Sequence, residues 1–149
     1  MSNVIIKTNN LLTSSLQGIY NFCRYIEPQG IICQGTAMMQ NISEKLIEYK
    51  EYGFYILSGT RQEFYQRGFF KLSDSHLYIL KADNTILHQF KLDHNLNFPI
   101  RLTHTYQCKN DTYSIHLDIV SKEEFHTYYT ILGPNKNHTI ETQFRRQNS

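Results

Sequence analysis

Apolar and polar residues alternate with period two in a series of segments. The series runs Ile19 to Ile26, Ile31 to Asn41, Lys45 to Leu57, Glu63 to Leu72, His76 to Lys81, Ile86 to Leu92, Arg101 to Cys108, Thr112 to Val120, Phe125 to Leu132 and Thr139 to Arg146. Alternation of this kind puts one face of a strand against a core and the other against water. The segments recur every ten to fifteen residues and end in clusters that turn the chain. Glu27-Pro28-Gln29-Gly30 supplies Pro and Gly to a β-turn, and Ser73-Asp74-Ser75, Asp83-Asn84 and Asn110-Asp111 offer side chains that mimic backbone turns. Links this short join antiparallel neighbours, because a parallel pair needs a crossover of a dozen residues or more. The one helical stretch is Leu11 to Gln17, with Thr13, Ser14 and Ser15 as candidate caps, and residues 1–10 read as a loose N-terminal segment.

These elements predict an all-β chain, an antiparallel up-and-down barrel of about ten strands with a short N-terminal helix. Closing the sheet removes the two exposed edges that a flat one would keep. The rival arrangement is a half-open barrel wrapped around the helix. At 149 residues the chain is one domain. Its eleven Tyr and nine Phe, with no Trp, suit a pleated surface and strengthen the β reading.

The charge is +2, from fifteen Lys and Arg against thirteen Asp and Glu scattered along the chain. No basic stripe is present to neutralise several phosphates, which argues against nucleic acid as a partner. No apolar run approaches the roughly 18 residues that a membrane helix needs. Cys23, Cys33 and Cys108 are odd in number and lack CxxC spacing, and the first twelve residues hold no apolar leader core. Free thiols in a cytoplasmic protein are the expectation.

Signatures of nucleophile elbows, phosphate loops, zinc proteases and paired CxxC sites are absent from the sequence. The chemistry is therefore sought on the strand faces. Ile47, Tyr49, Glu51 and Gly53 share a face. If it is interior, Glu51 needs a partner, for which Arg24, Arg67, Lys136 and Arg146 are candidates; if it is exterior, Lys50 balances it. Arg24 shares a face with Tyr20, Phe22 and Ile26, which suits either stacking or an anchor for an anionic ligand. Cys108, Asp111 and Tyr113 gather around one hairpin turn, where Asp111 serves as a turn cap or Cys108 as a reactive thiol.

Five landmarks in order give the chain a resemblance. Gly18-Ile19-Tyr20 with Arg24 resembles a Gly-x-Trp opening with a following Arg, and Gly35-Thr36-Ala37 a Gly-x-Ala on the second strand. Tyr49-Lys50-Glu51-Tyr52-Gly53 matches Tyr-x-Glu-x-Gly. Cys108, Asp111 and Tyr113 match a His-x-Cys-x-x-Asp-x-Tyr hairpin, and Gly133-Pro134-Asn135-Lys136 with Arg146 matches a closing Gly-Pro-x-Lys-Asp-Tyr and terminal Arg. In these the chain resembles DUF6314, a family of unknown function. Tyr20 stands in place of Trp, Tyr106 in place of the hairpin His, with His104 two residues earlier, and Asn137-His138 in place of Asp-Tyr. The resemblance implies a lipocalin-like barrel of the calycin type, with Gly18, Tyr20 and Arg146 closing one end, and it implies no reaction and no cofactor.

The function expected is binding of an apolar or amphipathic small molecule. Arg24, Tyr49, Glu51, Tyr113 and Lys136 are expected to line or rim the cavity, Cys108 and Asp111 to stand at its mouth, and Arg146 to complete the set. Two alternatives remain at this point. One is an enzyme with Glu51 or Asp111 as general acid or base beside Tyr113. The other is a haem-binding barrel using His126 or His138.

Overall fold

The computed structural model describes residues 11–93 and 96–148. The expectation for residues 1–10 and the position of His94 lie outside them. Among the described residues, ten strands follow one short helix, α1 (residues 11–16). They are β1 (Gly18–Glu27), β2 (Ile31–Ser43), β3 (Leu46–Leu57), β4 (Thr60–Leu72), β5 (His76–Lys81), β6 (Ile86–Lys91), β7 (Ile100–Cys108), β8 (Asp111–Ile119), β9 (Glu124–Gly133) and β10 (Lys136–Arg146). Two strands start three residues ahead of the apolar alternation, β4 at Thr60 and β10 at Lys136. These polar ends pair across their hairpins, Thr60 with Leu57 and Lys136 with Gly133, so main-chain hydrogen bonds carry the strands past the point where burial stops.

Every strand is antiparallel to its neighbours, in the order β6-β5-β4-β3-β2-β1-β10-β9-β8-β7. Pairing of β1 with β10 joins the two ends of the chain within one sheet and bends it into a nearly closed barrel. The two strands at the ends of that order, β6 and β7, form a seam. Among the described residues they share no ladder, and side chains cross the gap instead: the rings of His88 and His104 lie 5.8 Å apart, and those of Phe90 and His104 6.4 Å apart.

The helix seals one end of the barrel. Leu12 and Leu16 are fully buried in the core, each contributing roughly 1.5–3 kcal/mol by the usual burial scale. Thr13, Ser14 and Ser15 lie inside α1 and do not cap it, which corrects the sequence expectation. Ser14 Oγ bonds back to the Leu11 carbonyl at 3.2 Å, and Thr13 Oγ1 reaches across to the Glu44 carbonyl at 3.4 Å. These hydroxyls find carbonyl acceptors rather than the free amides of a helix start.

Above the helix lies a solid floor. Tyr20, Met39, Ile47, Leu72, Leu77, Phe90, Leu117, Ile119 and Phe125 are buried and point inward from strands all around the barrel. Phe125 stacks on Phe144 with centroids 4.3 Å apart, and Tyr20 meets Phe125 edge-on at 5.0 Å. The closing trio lies beneath. Arg146 donates from Nε to the Lys122 carbonyl at 2.8 Å, from Nη2 to the Ser15 carbonyl at 2.9 Å and to the Tyr20 hydroxyl at 3.0 Å, and from Nη1 to the Gln17 carbonyl. Its guanidinium carbon lies 5.1 Å from the Tyr20 ring centre. Burial pushes the Tyr20 phenol up to about 12, against the opposing pull of Arg146. Gly18, with φ of 150°, lies so close that a Cβ there would fall 1.9 Å from Arg146 Nη1.

Candidate functional site

The upper half of the barrel is hollow. A cavity of about 550 Å³ lies over the floor formed by Phe70, Phe125 and Phe144, walled by Ile26, Ile79, Ile115, Ile140, Thr127 and Tyr129. It reaches the surface where the β5–β6 hairpin stops short. β5 pairs only with Gly68 to Leu72 of β4, and Gln66, Arg67, Lys81 and Leu87 line the cavity beside that gap.

An ion pair stands in the wall. Glu51 faces inward with only 1% of its side chain exposed, which decides the question that periodicity left open. Of the four candidate partners, the one that reaches it is Arg24, two strands away. Nη1 donates to Oε2 at 2.7 Å and Nη2 to Oε1 at 2.8 Å, while Nε donates to Thr142 Oγ1 at 2.8 Å. Arg67 instead holds Glu48 at 2.7 Å, and Lys136 holds Asp111 at 3.0 Å. A two-pronged pair of this kind keeps two charges inside a barrel that would expel either alone. Burial works against the Arg24 cation, and the hydrogen bonds and charge of Glu51 outweigh it, so the pKa stands above its ordinary value.

Tyr49, on the same face of β3, donates its hydroxyl to Glu51 Oε1. Burial and then the Glu51 charge raise its pKa well above the ordinary phenol range, so the phenol stays protonated. Arg24 also rests on aromatic rings, 4.9 Å from the Phe22 centroid and 6.0 Å from that of Phe64. These rings reach each other over Gly35 and Gly53, which pair across β2 and β3. A Cβ on Gly35 would fall 2.8 Å from Phe22 and 2.1 Å from the Tyr52 carbonyl, and one on Gly53 2.6 Å from Phe64. The two glycines thus make room for the rings that hold Arg24 flat.

Across the barrel a second cluster spans β6 to β9. The rings of His88, His104, Tyr106, Tyr113 and Tyr129 touch in sequence, with Tyr106 and Tyr113 stacked at 5.0 Å and 5°. His88 lines the cavity and is 3% exposed; burial and then the neighbouring His104 bring its pKa down to about 4. Its Nδ1 and that of His104 have no hydrogen-bond partner among the described residues. Burial likewise raises the Tyr129 phenol.

The expected site residues thus separate into three places. Arg24, Tyr49 and Glu51 come together in the cavity wall. Tyr113 joins the aromatic cluster, while Cys108, Asp111 and Lys136 sit at the β7–β8 and β9–β10 turns outside the cavity lining, with Cys108 exposed. Asp111 also packs so tightly on Gly133 that a Cβ there would fall 1.9 Å from its carboxylate. Arg146 closes the opposite end. Of the histidines weighed as haem ligands, His126 pairs with Glu124 at 2.6 Å and His138 lies 3.5 Å from Gln29; neither lines the cavity. Sequence reading passed over Thr142, His88 and His104. Alternation with Phe90 and Leu102 marks both histidines as inward, but only the seam brings β6 and β7 together.

Residues 16–146 match DUF6314, described as a family of unknown function. No curated protein matches the sequence. Among solved structures, an S-type phycobiliprotein lyase, CPES, from Guillardia theta is similar over 100% of this chain and 98% of its own, with a TM-score of 0.64 and 5% identity. A de novo designed fluorescence-activating β-barrel is similar over 91% of this chain and 96% of its own, with a TM-score of 0.52 and 14% identity. A redesigned β-barrel is similar over 91% and 95%, with a TM-score of 0.51 and 17% identity. At these identities the likeness is one of fold.

Proposed function

Because the chain belongs to DUF6314, whose function is unknown, its role has to be read from its own site, and we propose that it is a small-molecule-binding barrel that takes one apolar or amphipathic ligand. The observation that carries this reading is the cavity of about 550 Å³, open beside β5 and β6 and set over a solid floor. That volume lies within the usual range for ligand pockets, as does a mostly apolar wall with a few placed polar groups. The barrel is in this view lipocalin-like in use as well as in shape, and the similar barrels named for phycobiliproteins and for fluorescence activation agree with it. The wall favours holding over turnover. Glu51 spends both oxygens on Arg24 and Tyr49, which leaves it poorly placed as a proton carrier.

Titration with N-phenyl-1-naphthylamine, a neutral dye that brightens in apolar surroundings, tests the reading. One dye per chain is expected, and Thr127→Trp, which fills the cavity, should abolish the signal while leaving a cooperative unfolding transition. No saturable binding to the wild-type chain, or equal binding to Thr127→Trp, overturns it.

A further inference from the structure

We infer that the cavity selects neutral molecules bearing a carbonyl, held by a spare N–H of Arg24 and the Thr142 hydroxyl, and that it rejects the corresponding carboxylates at that position. The inference rests on the binding reading above and narrows it to a ligand class.

Donors and charge in the wall decide the ligand class. A guanidinium has five N–H bonds. Arg24 uses three, one to Thr142 and two to Glu51. Because the pair meets end to end, the other two lie on opposite edges of the guanidinium; with the Tyr49 hydroxyl also beside it, one N–H is left for a ligand oxygen. Its side chain is 13% exposed and lines the cavity, whereas Glu51 is almost completely covered. The Thr142 hydroxyl accepts from Arg24 Nε, so its own hydrogen is left to donate. On the acceptor side Glu51 is covered, with each oxygen already accepting a hydrogen bond. The wall therefore offers donors and few acceptors.

Charge decides between the acceptors that a ligand can bring. A lone buried arginine attracts a carboxylate, but Arg24 is already neutralised by Glu51. A ligand carboxylate would have to shed its water, lie near the Glu51 charge and meet a cation already engaged. A carbonyl oxygen brings no net charge and accepts two hydrogen bonds. It satisfies the donors without disturbing the pair. The apolar remainder then lies over Phe70, Phe125 and Phe144, towards the gap beside Lys81.

Three matched probes test this: 6-propionyl-2-(dimethylamino)naphthalene, the 6-carboxylate analogue, and 2-(dimethylamino)naphthalene with no oxygen. The chain has no Trp, so naphthalene fluorescence is read without that background. The ketone is expected to bind roughly tenfold or more tighter than either analogue, since its bonds are to a charged donor, with the emission red shift of a hydrogen-bonded carbonyl. Repeating the titrations in Lys81→Gln keeps the carboxylate from being held at the mouth instead. Glu51→Gln frees the arginine charge and should turn the preference towards the carboxylate. Should that variant fail to fold, the double variant Arg24→Met/Glu51→Leu removes both charges together, and in it the ketone should lose its advantage over the oxygen-free probe. Equal or tighter carboxylate binding in Lys81→Gln overturns the inference, as does a ketone advantage that survives in the double variant. So does a wild-type chain that binds N-phenyl-1-naphthylamine but none of the three probes. Failure to bind that dye as well overturns the binding reading itself.

Discussion

Arg24 and Glu51 meet end to end inside the barrel, each guanidinium Nη facing one carboxylate oxygen at 2.7 and 2.8 Å, although 27 positions separate them in the chain. The strand between them is β2, whose Cys33 pairs with Arg24 and whose Ala37 pairs with Glu51. A bond across an intervening strand depends on the curvature of the sheet, so it reports on the barrel as a whole.

Breaking that pair from one side should be costly. Glu51→Ala leaves a buried cation without a partner, and we expect a loss of about 3–5 kcal/mol in urea unfolding. Arg24→Met/Glu51→Leu, which removes both charges, should lose much less than the sum of the single variants. A double variant as unstable as that sum would show that the pair contributes through packing alone.

Gly18→Ala should loosen the sealed end. The substitution places a methyl group on Arg146 Nη1 at a φ of 150°, where side chains are strained, and roughly 1–3 kcal/mol is the expected cost. Thermal unfolding measures it. Dye binding in the upper half should persist at temperatures where the variant remains folded.

The sequence made the strands legible because each has one wet and one dry face, and it placed Tyr49 and Glu51 together. It could not say that their face was the inner one. Lys50 offered Glu51 an equally plausible charge balance outside, whereas the structure places Lys50 3.5 Å from Glu48 on the opposite face. His88 and His104 were illegible for a different reason. Their contact depends on which strands end the sheet and meet at the seam, and local alternation carries no record of that.

Stability should fall as the pH drops from about 6.5 towards 4, through His88. Burial lowers its pKa in the folded chain to about 4 from the ordinary imidazole value of 6.5, so between these values the unfolded chain binds the extra proton. Stability from this residue is complete above about 6.5 and is lost as the pH falls towards 4. In His88→Phe the slope of stability against pH over this window should be smaller than in the wild type. An unchanged slope would assign the titration elsewhere, with His104, whose pKa is also lowered by burial, as the next residue to replace.

Lys136→Ala should leave N-phenyl-1-naphthylamine affinity unchanged. Lys136 holds Asp111 at the turns, outside the cavity lining. A change in affinity comparable to that of Thr127→Trp would extend the binding region up to those hairpins.

The solid floor has a consequence for how such a barrel can diverge. Helix α1, Tyr20, Arg146 and the rings above them secure the fold from below, so the residues around the hollow are relieved of much of that duty. Substitutions at Ile26, Ile79, Ile115 or Ile140 would reshape what the barrel accepts at modest cost to its foundation. Selection can then act on ligand choice and on folding at separate addresses along the barrel axis, and related chains would be expected to vary most in the upper wall.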